Sequence, residues 1–227
     1  MMVPGVYSLK TSPNPLTPGL RDKGLVGYWS FDEGSGTIAY DRSGNNNNGT
    51  LINGPTWQDE SNCKKGKCLS FDGVNDYVSY GSNKIPTGDA PKTISTWVKT
   101  STSGPQVVVG FGNTVSNQEF SLGFEIGGDS RGIWLDYLGS GCMSGIFGTS
   151  GEWANIAVTY ESSNVALYLN GKLIKTCVKY LSTGNSYRTI GTRIGNSWWL
   201  NGSVDEVRIY NRALSDAEIQ AIYNATK

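Results

Sequence analysis

Hydrophobic and polar residues alternate along this chain in short runs bounded by glycine, asparagine and serine. The runs are "LVGYWSF" (25–31), "CLSFDG" (68–73), "DYVSYG" (76–81), "TISTWVKT" (93–100), "QVVVGFG" (106–112) and "FSLGFEIG" (120–127). They continue with "GIWLDYLG" (132–139), "WANIAVTYES" (153–162), "VALYLNGKLIKTCV" (165–178), "YRTIGTRIG" (187–195) and "SVDEVRIY" (203–210). Each reads as a β-strand. Ile156, Val158 and Tyr160 fall on one face and Ala157 and Thr159 on the other, the period of two that a strand imposes. Asn170-Gly171 divides the run 165–178, and this pair tolerates positive φ at both central positions of a type I′ hairpin. Only the end of the chain departs from the pattern. Ser215 precedes "DAEIQAIYNA", with Glu218 three residues on and Asp216 between them. That is a capping box with a favourable charge at the helix start, and it predicts a short helix over 215–223. Its apolar side is Ile219, Ile222 and Tyr223. So many strands with so little helix bury both sheet faces only as layers. The expected fold is all-β, a two-sheet antiparallel β-sandwich with a short C-terminal helix.

Composition narrows the class. The chain has 227 residues, 11% of them aromatic and only 17% charged, which excludes a disordered chain. Pro4, Pro13, Pro15 and Pro18 mark residues 1–23 as an extended linker or arm, with the folded domain expected over 24–227. Lys plus Arg and Asp plus Glu both number 19, so no global field favours nucleic acid or an anionic membrane. No run approaches the roughly 20 apolar residues of a membrane span, and no apolar core of a secretory signal is visible.

The chain contains no histidine. Ser-His-Asp triads, Cys-His dyads and His-ligated metals are therefore excluded. Of the four cysteines, Cys63 and Cys68 are close in sequence, while Cys142 and Cys177 stand 35 apart. Three pairings are possible, besides four free thiols. The reading taken is Cys63–Cys68 closing a small loop and Cys142–Cys177 joining neighbouring strands, which implies an oxidising compartment.

"YDRSGNNNNGTL" (40–51) sets four asparagines and an aspartate in one loop. Two readings fit. Amide and carboxylate oxygens without histidine suit Ca²⁺, which takes six to eight oxygen ligands. The same residues also suit a polar turn with left-handed backbone and side-chain-to-backbone bonds. The loop is not an EF-hand: Asn46 and Ile52 stand where that motif needs Gly and Glu.

"GLVGYWSFDEGSGTIAYDRSGNNNNGTL", "CLSFDGVNDYVSY", "TISTWVKT", "WANIAVTYESSNVALYLNGKLI" and "LNGSVDEVRIYNRALSDAEIQAIY" together resemble, in order, the LamG-like jelly-roll family of the concanavalin A-like lectin/glucanase superfamily. One departure is that Ala154 and Asn155 follow Trp153, where the family often has histidine. The resemblance implies a two-sheet jelly roll whose first and last strands are adjacent. It also implies a structural Ca²⁺ where those ends meet, with Asp32, Asp41, Asn46, Asn48 and Asp205 as ligands.

Glucanases of that superfamily carry E-x-D-x-x-E on one strand, which is absent here. Glu119 and Glu125 are six residues apart, about 20 Å along a strand at roughly 3.3 Å per residue, too far for a glycosidase pair. Glu125 and Asp136 are a possible cross-strand pair. No enzyme is expected. The candidate ligand face uses Trp198 and Trp199, one expected to be exposed, with Asp136, Arg188 and Arg193 as polar partners. Trp29, Trp97, Trp134 and Trp153 are assigned to the core. Sequons begin at Asn48, Asn201 and Asn224, and a glycan on Asn48 would conflict with a metal there. The resulting expectation is a secreted or surface-exposed binding module of a larger protein, recognising a glycan or a surface protein. The alternative is a structural or protein–protein domain of a fibre or pilus.

Overall fold

A computed structural model describes residues 22–127, 131–135, 141–195 and 197–227. Asp136 and nearly all of the proline-rich arm lie outside the described residues. The strands, in chain order, are β1 (Leu25–Trp29), β2 (Ile38–Ala39), β3 (Gly49–Ile52), β4 (Thr56–Gln58), β5 (Cys68–Asp72) and β6 (Tyr77–Tyr80). Then come β7 (Lys92–Lys99), β8 (Gly104–Gly112), β9 (Glu119–Ile126), β10 (Gly132–Leu135), β11 (Cys142–Met143) and β12 (Ala154–Glu161). The last four are β13 (Asn164–Leu169), β14 (Lys172–Val178), β15 (Tyr187–Ile190) and β16 (Asn201–Tyr210), followed by helix α1 (Asp216–Thr226).

All the pairings are antiparallel, and they form two sheets. The first runs β14-β13-β12-β7-β16-β5-β4, with β1 also on β16; the second runs β11-β10-β9-β8-β15-β6-β3-β2. Strand β16 is long enough to take two partners on one side: Asn201–Val204 pair with β5 and Val207–Tyr210 with β1. The first and last strands are thus neighbours. Opposite β7 the register of β16 slips between Asp205 and Arg208, and Glu206 sits at φ 55°. Such a bulge bends the strand and re-aims its side chains.

Between the sheets lies one core, including Trp29, Phe31, Phe120, Phe124, Ile156 and Val207, each fully buried. The alternation of β12 is realised. Ile156, Val158 and Tyr160 enter this core, while Ala157 joins Tyr168, Tyr210, Ile219 and Ile222 under α1. The helix begins on Ser215, whose side chain accepts from the Glu218 N–H while the Glu218 carboxylate accepts from the Ser215 N–H. It runs to Thr226, three residues beyond the expected end. Asn170 (φ 50°) and Gly171 (φ 76°) make the expected hairpin turn.

Two disulfides form, in the pairing expected. Cys142–Cys177 joins β11 to β14, the outermost strand of each sheet, and so clips the sandwich shut along one side. Cys63–Cys68 closes the loop leading into β5. Among the described residues no helix is long and apolar enough to cross a membrane.

Trp29, Trp97 and Trp134 are buried as assigned, the last two away from the space between the sheets, and Trp153 is the exception. Trp134 is fully buried but on the outer face of the second sheet, since Ile133 and Leu135 point inward. Trp97 is covered by α1, stacking on Tyr223 at 5.5 Å and donating to Thr226 Oγ1. Trp153 is half-buried, with the Lys99 ammonium 5.4 Å from its ring centre. Strands β2, β3, β4 and β11 leave no mark in the sequence pattern. Of these, β2, β4 and β11, with two or three residues each, offer too few alternating positions to read, and β3 follows directly on the asparagine-rich loop.

Candidate functional site

The asparagine-rich loop folds around its one carboxylate. Asp41 Oδ1 accepts from the Tyr28 and Ser43 N–H groups at 2.9 and 2.8 Å, and Oδ2 from the Ser43 hydroxyl and the Asn47 N–H at 2.8 and 2.9 Å. Asn48 Oδ1 accepts from the Asp41 N–H, and exposed Asn46 supplies a left-handed residue at φ 59°. Asn47 is fully buried. Its amide donates to the Val26 and Asn83 carbonyls and accepts from the Asn83 N–H, and its own carbonyl takes the Trp29 indole N–H. Four donors on one carboxylate are the bonding of a polar turn. This loop is a lock between β1 and the second sheet.

Asp32 and Asp205 come together elsewhere. The Cys63–Cys68 loop lies over both. Asp205 Oδ2 accepts from the Lys64 and Lys65 N–H groups at 3.2 and 2.9 Å, and Asp32 Oδ1 accepts from Lys67 N–H at 3.0 Å. Gly66 must be glycine here: its φ is +59°, and a Cβ would lie 2.0 Å from Asp32 Oδ1. Asp205 is fully buried and its Oδ1 finds no partner. Burial first, then the charges of Glu206 and Asp32, push its carboxyl up to about 7, against the pull of the loop N–H groups. A buried carboxylate oxygen without a partner fits a cation. Among the described residues no three acidic or thiol groups converge, so an ion here would complete its shell from backbone carbonyls. The five expected metal residues therefore divide. Asp32 and Asp205 share one place, while Asp41, Asn46 and Asn48 build the turn.

Beside Asp205 the bulge places Glu206 in a different cluster. The Tyr28 hydroxyl donates to Glu206 Oε1 at 3.0 Å, Arg208 pairs with Oε2 at 2.5 Å, and the guanidinium lies 4.2 Å from the Tyr28 ring centre.

On the outer face of the second sheet, Gly123 leaves room for a large side chain. The Trp134 ring lies over Gly123, where an added Cβ would meet Cζ2 at 2.3 Å. The segment after β15 folds back onto β8 through Gly191 N–H to Val108 O and Val107 N–H to Trp198 O. It brings Trp198 edge-on to Trp134 at 5.6 Å and sets the Arg193 guanidinium 4.7 Å from the Trp198 ring. Arg193 pairs with Glu119 through Nε and Nη2, at distances down to 2.5 Å, with the carboxylate 1% exposed. Trp199 points the other way, onto Tyr77 at 6.0 Å, and both Trp198 and Trp199 are half-buried. Arg188 stands apart, donating to the Tyr80 and Asn185 carbonyls. Of the expected ligand residues that are described, then, the structure joins Arg193 and Trp198 only. Glu119 as partner of Arg193 is not legible in the sequence, because 74 residues separate them. At the other end of β9, Glu125 pairs with Arg131 at 3.3 Å.

These features define an antiparallel jelly-roll module whose N- and C-terminal strands are joined side by side. The family model described as the concanavalin A-like lectin/glucanases superfamily matches residues 72–220, and the chain belongs to that family. Solved structures agree in fold. Domain 4 of AbnA, an extracellular arabinanase of Geobacillus stearothermophilus, in complex with arabinotriose, superposes with a TM-score of 0.69 at 19% identity. That match covers 89% of this chain and 98% of the other. The binding domain of Paraclostridial Mosquitocidal Protein 1 gives 0.67 at 19% identity, covering 90% of this chain and 53% of that one. Trypanosoma rangeli sialidase in complex with sialic acid gives 0.65 at 16%, covering 88% and 33%. No curated protein matches by sequence comparison.

Proposed function

We propose that this chain is a non-catalytic carbohydrate-binding module of an exported protein, reinforced by a Ca²⁺ ion at Asp32 and Asp205. The observation that carries the non-catalytic reading is the state of the outer-face carboxylates. Glu119 and Glu125 are each held by an arginine, and they sit at opposite ends of β9. Glycoside hydrolysis needs two carboxyls roughly 5–10 Å apart across one bond, one of them able to carry a proton. Among the described residues, carboxylates paired in this way at opposite ends of one strand support a binding role. Sugar complexes among the similar structures support a glycan as ligand, and two disulfides support an oxidising compartment.

A bound Ca²⁺ would supply positive charge to the buried Asp205 oxygen and tie the loop before β5 to the bulge of β16. Asp32 and Asp205 are the side chains that would hold it. Glycan-array binding with and without Ca²⁺, beside an assay for released reducing sugar, tests the function. Binding without sugar release is expected; release of reducing ends from any polysaccharide refutes the non-catalytic reading. Thermal unfolding in EDTA and in excess Ca²⁺ tests the ion. A ligand of the native state at a hundredfold excess over Kd stabilises by about 2.7 kcal/mol. The shift should vanish in Asp205→Asn.

A further inference from the structure

At the end of the sandwich where β12 turns into β13, an open cleft of about 630 Å³ is bounded by three chain segments. Residues 89–91 form one wall, Ser162 and Ser163 of the β12–β13 turn a second, and Tyr180 and Leu181 a third, with Tyr160 behind them. That volume falls within the roughly 300–1,000 Å³ of small-ligand pockets.

The cleft is built rather than incidental. Gly88 and Thr183 exchange both backbone hydrogen bonds, at 2.7 and 2.9 Å, joining the first wall to the third. Beneath them the fully buried Lys92 ammonium donates to Gly88 O and Thr183 Oγ1, pinning the same two walls. Lys179 N–H donates to Ser163 O, which fixes the second wall to the third. Ser162 and Ser163 both hold left-handed backbone, φ 49° and 66°, a conformation costly for residues with a Cβ.

Against this rigid frame one ring is left out. Between 179 and 183 the side chains alternate. Lys179, Leu181 and Thr183 are 6%, 5% and 3% exposed, and the backbone N–H groups of 179, 181, 182 and 183 are all bonded. Tyr180 is 77% exposed. The fold holds its backbone firmly and buries almost none of its ring. Across the cleft Asp89 is exposed; it makes no hydrogen bond or ion pair with any described residue, and its charge acts on the buried Lys92 ammonium.

We propose that this cleft binds one neutral sugar unit, stacked on the Tyr180 ring with adjacent hydroxyls donated to the Asp89 carboxylate. The exposed carboxylate disfavours an acidic sugar. The Lys92 ammonium, 5.0 Å from the centre of the Tyr160 ring that backs the cleft, is within electrostatic reach of Asp89, so the cleft region gathers one charge of each sign. A flat apolar face edged by hydroxyls matches an exposed aromatic ring beside an acceptor-only group. Pinned walls lower the ordering cost of binding. The inference rests on the carbohydrate-binding reading and assigns its site away from Trp198.

Calorimetric titration with arabinotriose, xylotriose, cellotriose and, as the acidic control, sialyllactose tests it. At least one neutral trisaccharide should bind, and its Kd should rise about tenfold in Tyr180→Ala and in Asp89→Asn. Trp198→Ala should leave the Kd unchanged. Tyr180 and Asp89 are exposed, so both variants should melt with the wild type. Undiminished binding in both cleft variants, or preference for sialyllactose, overturns the cleft assignment while leaving carbohydrate binding standing. If none of the four saccharides binds the wild-type chain, the cleft and the carbohydrate reading fall together.

Discussion

Arg193 closes on Glu119 with two nitrogens, in a place where the carboxylate is 1% exposed, and the same guanidinium lies against the Trp198 ring. This pair decides how the outer face of the second sheet is read. The pair fixes the Glu119 carboxylate and sets the half-buried Trp198 ring beside it.

Removing one partner should therefore damage the fold. Arg193→Ala strands a buried carboxylate, and breaking a buried pair costs about 3–5 kcal/mol. The paired replacement Arg193→Met with Glu119→Leu should recover most of that loss. Urea unfolding of the three proteins measures it; equal stability of Arg193→Ala and wild type would mean the pair is solvated.

Asp41 should matter to stability without regard to metal. Asp41→Ala leaves four donors without their acceptor, so a loss of about 1–3 kcal/mol is expected. The drop in melting temperature should be the same in EDTA and in Ca²⁺. A larger drop in Ca²⁺ would place the ion in the asparagine loop after all.

The two disulfides should contribute unequally. Chain-entropy reasoning gives about 4 kcal/mol for the 35-residue separation of Cys142–Cys177 and about 2 kcal/mol for the separation of 5 in Cys63–Cys68. Paired Cys→Ser variants, melted side by side, should show the larger loss for the clip between β11 and β14. The Cys63–Cys68 variant should instead show the larger loss of Ca²⁺ response, because that loop covers Asp205.

Glu218 should stabilise the domain down to acid pH. Its bonds to Arg212, then to Ser215, lower its carboxyl from 4.5 to about 2. A depressed folded-state value means a contribution fully present above 4.5 and lost as the pH falls towards 2. The melting-temperature gap between wild type and Glu218→Gln should shrink to nothing across that window.

Lys92 should act in the opposite range. Burial lowers its ammonium from 10.5 to about 8. The unfolded chain then binds more protons than the folded one between those values, so stability should rise with pH across the window. Lys92→Met should flatten that rise in chemical-denaturation curves.

Local rules make much of this molecule legible from its sequence. A period of two places Ile156, Val158 and Tyr160 inward, Asn170-Gly171 sets a hairpin, and Ser215 with Glu218 starts a helix. Each depends on residues within a few positions of one another, where pattern and backbone preference act directly. The order of family blocks also implies adjacent first and last strands, as β1 and β16 show.

What the tertiary structure decided depends on partners distant in the chain. Asn47 is indistinguishable in sequence from Asn45, Asn46 and Asn48. It is the buried one because Val26, Trp29 and Asn83 converge on it. Sequence pattern assigns Trp134 to burial but not to a face, since covering the outer face requires the return of Trp198. Nothing local to Asp205 sets it apart from an exposed strand carboxylate beside Glu206. A bulge turns it under the Cys63–Cys68 loop, 140 residues earlier in the chain. Alternation fixes which residues share a face. Only packing between distant strands and loops fixes what that face meets, and so which polar groups must find partners within it.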